Sequence, residues 1–209
     1  MQSGQCAVST VKEASYNVEE TTGDEQQTGL SRTYLFVVFG FGAAAFLVRW
    51  AGLTIPIIGE VNIDPREMFV TLGAALTGPV GGLVIGFLAG LPAISVALGS
   101  SSLIAHCASG LLVGLLYKLV YKRWRMPALL FGWAVLIAAY YYIFLIPAFL
   151  AAVSLAAPGA MSDVFGVDLS FLQAYSTLGQ GALPEAVVTF VVTAIILIAL
   201  PERYRRPLW

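Results

Sequence analysis

The ionisable side chains best placed to do chemistry stand next to long apolar segments of this sequence. Four polar residues cluster just before one such segment: Asn62, Asp64, Arg66 and Glu67. His106 lies within another apolar segment, and Glu185 follows Pro184 near the start of the last one. Charged groups at membrane depth are costly and usually pair with one another or bind something. We therefore predict that they contact a ligand. The simpler alternatives are a helix-start cap with an ion pair for Asp64, a packing role for His106, and an early-turn acid favoured by the helix dipole for Glu185.

Aromatic and amide side chains supply the other candidates for a binding site. Trp133 and the run Tyr140-Tyr141-Tyr142 lie in one apolar segment, whereas Tyr175 and Gln180 lie in a polar stretch. Three consecutive tyrosines on a helix point in three directions, so at least one is expected to face inward. We predict that Trp133 or Tyr141 lines the site and that Tyr175 and Gln180 close over a bound solute.

No catalytic or metal-binding pattern is visible in the sequence. A single histidine and the absence of zinc-type Cys/His spacing argue against a metal site. No Gly-x-x-x-x-Gly-Lys loop is present to cradle a nucleotide phosphate. We predict a protein that is not an enzyme and that uses neither metal nor cofactor. An intramembrane enzyme built from Asp64, Glu67, His106 and Glu185 is a distant third possibility.

The composition points to an integral membrane protein. The 209 residues are 58% hydrophobic, with a mean hydropathy of +0.84, and only 11% are charged. Ordinary soluble domains carry about 25% charged residues, so a soluble fold would expose far too much apolar surface. The two cysteines cannot form a disulfide framework, because Cys6 lies in the polar tail and Cys107 lies in an apolar segment. This composition argues against soluble enzymes and nucleic-acid binders, and predicts an all-α protein embedded in the lipid bilayer.

The distribution of residues divides the chain into a tail and a membrane domain. Residues 1–31 are polar and predict a disordered cytoplasmic tail. Residues 32–206 predict a six-helix transmembrane domain, and 207–209 form the C-terminal end. The apolar segments run over Thr33–Trp50, Met68–Leu91, Ser102–Val120, Ala128–Ala156 and Ala182–Leu200. The stretch Pro158–Gly181 between the last two predicts a long outer loop, a type of loop that is often functional.

The number of spans depends on the segment Met68–Leu91, which reads as one helix or as two helices broken at Gly78-Pro79. Basic residues are enriched on the cytoplasmic side of membrane proteins. With six spans, eight basic residues fall on one side: Arg32, Lys118, Lys122, Arg123, Arg125, Arg203, Arg205 and Arg206. With five spans the basic loop and the basic C-terminus fall on opposite sides. We therefore predict six spans in the cytoplasmic membrane, with both termini in the cytoplasm.

Small residues recur at four-residue spacing in several segments. One stripe runs through Gly78, Gly82, Gly86 and Gly90, and a shorter one comprises Gly110 and Gly114. Such stripes let helix backbones approach closely within lipid. We predict that these two stripes serve packing within the chain. The patch of Gly40, Ala43 and Ala44 in the first segment is instead a candidate for docking another protein.

The stretch from Ile63-Asp-Pro-Arg-Glu-Met to Leu76-Thr-Gly-Pro-Val-Gly-Gly-Leu-Val-Ile-Gly-Phe-Leu-Ala-Gly-Leu91 resembles a known family. A short second span ending in Gly-Pro, followed by a glycine-rich third span, is similar to the S components of energy-coupling factor (ECF) transporters. The plan of six spans with two long outer loops agrees over about residues 32–206. The same stretch resembles, more weakly, the membrane region of LytS-type sensor kinases.

The resemblance to S components implies a function and partners. Such subunits bind vitamins, cofactor precursors or similar micronutrients in an outward-facing pocket, then dock on a transmembrane T component powered by two ATPases. Family members dock through an Ala-x-x-x-Ala patch in the first span, for which Gly40-x-x-x-Ala44 is the nearest equivalent here. The leading hypothesis is thus the substrate-binding subunit of a micronutrient importer. The runner-up is a membrane sensory or assembly module without transport activity.

Overall fold

The computed structural model of the protein describes residues 32–56, 62–92, 96–123, 125–156 and 159–208. The predicted tail at 1–31 lies outside the described residues. Eight α-helices, a π-helical turn and two short strands occur in the described part, with these bounds: α1 Arg32–Trp50, β1 Ile55–Pro56, β2 Asn62–Ile63, α2 Arg66–Gly90, α3 Val96–Arg123, α4 Met126–Ala139, the π-turn Tyr140–Leu145, α5 Ile146–Ala156, α6 Ala160–Phe165, α7 Phe171–Ala199 and α8 Glu202–Arg205.

Five helical segments of the described chain are long and apolar enough to cross a membrane. They are Arg32–Trp50, Arg66–Gly90, Gly99–Lys122, Met126–Leu155 and Phe171–Ala199. The helical architecture expected from composition is therefore present, although this count of five does not confirm six spans. One small departure from an all-helical fold is an antiparallel strand pair, in which Ile55 faces Ile63 and Pro56 faces Asn62.

Helix α2 is not one straight rod, because its backbone breaks at Gly78. Gly78 has φ 75° and ψ −170°, a conformation that L side chains rarely adopt. Past this break the chain folds back, so that Arg66 at the start of α2 donates to the carbonyl of Ala89 near its end, at 2.9 Å. A straight helix would hold these residues about 35 Å apart. The two arms, 66–77 and 79–90, therefore form a tight helical hairpin.

The glycine stripe of the second arm lets this hairpin pack directly against α3. A Cβ at Gly82 would meet the carbonyl of Gly110, and one at Gly86 would meet the carbonyl of His106. Gly114 on α3 lies in the same way against the backbone of Gly78. Only hydrogen fits at such backbone-to-backbone contacts. The glycine stripes of the second arm of α2 and of α3 thus serve packing within the chain, as their spacing predicts.

The prediction of a long loop over Pro158–Gly181 is wrong for most of that stretch, which is helical. Helix α7 begins at Phe171, because Ser170 and Gln173 form a reciprocal capping box at its first turn. Pro184 is accommodated inside the helix rather than at its start. Tyr175 and Gln180 accordingly lie on a helix, and the short helix α6 precedes them.

Candidate functional site

A cavity of about 430 Å³ opens at the end of the bundle where α1 ends and α7 begins. Each of the five membrane-length segments contributes to its lining, which consists of Arg49, Asp64, Arg66, Glu67, Ser102, Ala105, His106, Tyr141, Leu145, Ile146, Phe149, Thr177, Leu178, Gly181, Ala182 and Glu185. The charged side chains come from the end of α1, the start of α2, α3 and Glu185 of α7, whereas the larger apolar side chains come from the π-turn, α5 and α7. Such a mixture of an apolar wall and a few placed polar groups is typical of small-molecule sites.

Arg66 is fixed by contacts on several sides at the start of α2. Its backbone N–H donates to Asp64 Oδ1 at 3.0 Å, and its Nη2 lies 3.0 Å from Asp64 Oδ2. Its Nη1 donates to the carbonyl of Ala89 at 2.9 Å and to Ser102 Oγ at 3.3 Å. The guanidinium therefore ties the two arms of α2 to each other and to α3. Here the simpler alternative, a helix-start cap with an ion pair, describes what Asp64 and Arg66 do.

Glu67 and His106 form a buried pair between α2 and α3. His106 Nε2 lies 2.6 Å from Glu67 Oε1, and both side chains are at least 95% buried. Tyr140, from the π-turn, donates its hydroxyl to the second carboxylate oxygen, Oε2. Both oxygens of Glu67 are thus engaged, in keeping with the rule that buried charges are paired and hydrogen-bonded.

The hydrogen bonds of His106 determine how many protons this pair carries. Its Nδ1 lies 2.6 Å from the carbonyl of Ser102, which only accepts, so Nδ1 carries a proton. The contact between Nε2 and Glu67 then holds one further proton, on either the ring or the carboxyl group. In both cases the pair has no net charge.

The π-turn sets the direction of the tyrosines. π-Helical turns are rare, and they occur frequently at functional sites. Here Tyr140 reaches Glu67, while the Tyr141 hydroxyl lies 2.9 Å from Thr189 Oγ1 on α7. Tyr142 donates to the carbonyl of Gly179 at 2.9 Å. Two of the three tyrosines are buried, and Tyr141 lines the cavity, so the expectation that one of them faces inward is met.

Glu185 on α7 faces the charged part of the cavity from the opposite side. Its carboxylate lies against the backbone of Asp64 and close to the carboxylates of Asp64 and Glu67. Thr177 and Gly181 precede it by eight and four residues on the same face of α7. The helix therefore presents a row of small and polar residues to the cavity.

The structure brings together six of the ten residues predicted for the site: Asp64, Arg66, Glu67, His106, Tyr141 and Glu185. Trp133 lies elsewhere, with its indole N–H donating to Thr193 at 2.7 Å and its ring edge-on to Tyr117. Tyr175 donates to the carbonyl of Tyr142 at 2.8 Å, outside the cavity lining. Gln180 is exposed, and the side chain of Asn62 lies outside the described residues.

Several lining residues were not predicted, although helical spacing points to some of them. Ser102 precedes His106 by four residues, and Thr177 and Gly181 precede Glu185 by eight and four residues. Arg49 reaches the cavity through an ion pair, 3.9 Å from Asp64. The apolar members, such as Phe149, carry no signal in the sequence that separates them from other membrane-segment residues.

The predicted docking residues lie on the outer face of α1. Gly40 and Ala43 are exposed, and Ala44 is half-buried. Gly40 and Ala44 line a shallow apolar groove of about 250 Å³ with Phe36, Val37, Phe41 and Phe69. This groove is separate from the charged cavity, with which it shares no lining residue.

The fold and the cavity define a helical protein with membrane-length segments and one mixed polar and apolar pocket. In comparisons with known proteins, the chain matches no protein-family model and no curated protein. Among the described residues, no group of three or more histidine, cysteine, aspartate or glutamate side chains is arranged to hold a metal ion.

Proposed function

We propose that this protein is the substrate-binding subunit of an ECF-type importer, which captures a vitamin-like micronutrient at the outer face of the cytoplasmic membrane. The observation that carries the proposal is the cavity of about 430 Å³, in which six predicted site residues converge. Its size is within the range of about 300–1,000 Å³ that is usual for pockets of small organic ligands. The engagement of both Glu67 oxygens supports a rigid binding wall rather than a free catalytic base.

The proposal includes six membrane passes with both termini in the cytoplasm. The hairpin in α2 supports an even number of passes, because it returns the chain to the end of the bundle from which it came. The C-terminal region contacts the opposite end: Leu208 donates to the carbonyl of Leu76, at 2.8 Å, and Tyr117 donates to that of Arg205, at 3.4 Å. The positive-inside rule makes this basic end the cytoplasmic one.

The proposed partners are a transmembrane T component and its two ATPases. The exposed α1 groove around Gly40 and Ala44 supports a docking role, since small residues there leave space for a close helix approach. No side-chain atom lies within 4 Å of where a Cβ on Gly40 would be. A partner helix would fill this space.

The test is native mass spectrometry of the chain purified in mild detergent from cells grown in rich medium. We expect a bound solute of a few hundred daltons, a mass range suited to the cavity. Gly181→Leu fills the cavity without removing a charged group, so it should abolish the bound mass. Gly40→Leu is the matched control, which should keep the solute and lose co-purification with the T component. A wild-type chain that is always empty would contradict the proposal.

The second candidate is a membrane sensory or assembly module without transport activity. The observation that favours it is the apolar outer face of α1, where Phe36 is 80% exposed and Phe39 is 57% exposed. Such a face suits contacts with another membrane helix as well as with lipid. A stable homo-oligomer that contains no solute, and that Gly40→Leu dissociates, would favour this module over the importer subunit.

A further inference from the structure

Among the described residues, some of the charged ones that line the cavity have ion-pair partners within the protein, and one does not. Arg66 and Asp64 pair closely, at 3.0 Å, and Arg49 adds a weaker contact to Asp64 at 3.9 Å. Glu67 pairs with His106 at 2.6 Å and accepts from Tyr140. The carboxylates of Asp64 and Glu67 therefore each have an ion-pair partner within the protein.

Glu185 is the exception among the described residues that line the cavity. None of the ion pairs in the described chain includes it. The charged groups that act on it are the carboxylates of Glu67 and Asp64 and, to a smaller extent, the Arg66 guanidinium, and it accepts a hydrogen bond from the backbone of Asp64. A half-buried carboxylate beside other carboxylates and an apolar wall is unfavourable unless it takes up a proton or a cation pairs with it.

Arg66 is a poor receptor for an anion despite its charge. Three of its five N–H groups point to Asp64, Ser102 and the carbonyl of Ala89, and only 9% of its side chain is exposed. Its Nε is fully buried and lies 3.7 Å from Glu67 Oε1, so a solute in the cavity does not reach it. The guanidinium thus stabilises the wall of the cavity and does not bind the solute.

We propose that the cavity selects an organic cation, in which a protonated amine pairs with Glu185 and an apolar body lies against α5 and α7. The apolar part of the wall consists of Leu145, Ile146, Phe149 and Leu178. This inference rests on the proposed solute-binding function and narrows its substrate class. A carboxylate at one end of an apolar pocket orients an amine in one direction, because the charged end cannot be placed against the hydrocarbon wall.

The experiment uses three probes of nearly equal size and different charge: 2-phenylethylamine, 2-phenylethanol and phenylacetate. Each is titrated against the full chain in phosphatidylcholine nanodiscs, with binding followed by saturation-transfer NMR. Glu185→Gln removes the charge while keeping the shape of the side chain. Glu202→Gln is the matched control, since Glu202 is exposed on α8 and pairs with Arg206 rather than lining the cavity.

We expect the amine to bind at least about tenfold more tightly than the alcohol or the anion, because a hydrogen bond between charged groups is stronger than one between neutral groups. Glu185→Gln should abolish this preference, and Glu202→Gln should keep it. Preference for phenylacetate, or equal amine affinity in Glu185→Gln and the wild type, would overturn the cation inference and leave a solute-binding protein. Binding of none of the three probes would overturn the cation inference, whereas the proposed function would fall only if the wild-type chain is also always empty in native mass spectrometry.

Discussion

At the scale of single residues, the feature that organises the cavity is a buried carboxylate with all its oxygens in use. Glu67 lies in the first turn of α2, whereas its partners come from α3 and from the π-turn. A buried ionisable group is tolerated only where such partners are complete. The pair of Glu67 and His106 therefore joins three segments that are far apart in the sequence, and its geometry depends on each of them.

Removal of one partner should be costly. Tyr140→Phe deletes the hydroxyl that donates to Glu67 and leaves a buried acceptor unsatisfied, which costs about 1–3 kcal/mol. We expect a lower apparent Tm in detergent, measured by following unfolding with intrinsic fluorescence. Tyr204→Phe, at an exposed tyrosine of α8, is the control and should not shift the Tm. Equal Tm values for the two variants would show that Tyr140 does not support the pair.

At the scale of helices, close packing of α2 against α3 positions this pair. Gly86 lies against the carbonyl of His106, one helical turn from Gly82 and its contact with Gly110. Larger residues at these glycines would move α3 outward and separate His106 from Glu67. Glycine stripes therefore act on the site without touching its cavity.

A methyl group on the stripe should test this packing. Gly82→Ala places a Cβ against the backbone carbonyl of Gly110, so we expect a destabilisation of about 1–3 kcal/mol from overpacking. Gly40→Ala is the same substitution at an open position of α1, and it should be neutral or slightly stabilising. The readout is the yield of monodisperse protein and its apparent Tm. A Gly82→Ala chain as stable as Gly40→Ala would argue against the tight α2–α3 contact.

At the scale of the whole molecule, the reversal at Gly78 decides which ends of the helices lie together. Both ends of α2 join the cavity end, while the break itself lies at the end that holds the C-terminal region. The cavity and the basic C-terminal region therefore occupy opposite ends of the bundle. Under the proposed topology, the cavity opens to the outside.

Labelling from one side of the membrane tests this arrangement. In a chain whose two cysteines have been replaced, Leu53→Cys and Val167→Cys should react with an impermeant maleimide in intact cells. Lys122→Cys and Glu202→Cys should react only after the membrane is permeabilised. All four positions are exposed, so burial does not prevent their labelling. Labelling of Leu53→Cys and Lys122→Cys from the same side would contradict the six-pass topology.

Much of the site was predictable, because charged residues beside apolar segments have few stable alternatives to pairing or binding. Six of the ten predicted residues line one cavity. The sequence does not tell which of Trp133 and Tyr141 lines the cavity, because an aromatic residue in a membrane segment shows the same pattern whether it lines a pocket or fills the core. Gln180 was assigned to a loop because its polar surroundings outweighed the capping box ten residues upstream of it.

The sequence by itself determined the helical, apolar character of the chain, the close-packing stripes and the cluster around Asp64 and Glu67, because these follow from composition and local spacing. Only the tertiary structure decided that Arg66 ties the two arms of α2 to α3, that Tyr140 reaches the pair of Glu67 and His106, and that Glu185 lines the same cavity as Glu67. These features depend on contacts between residues distant in the chain. Local propensity does not specify such contacts, whereas the packing of whole helices does.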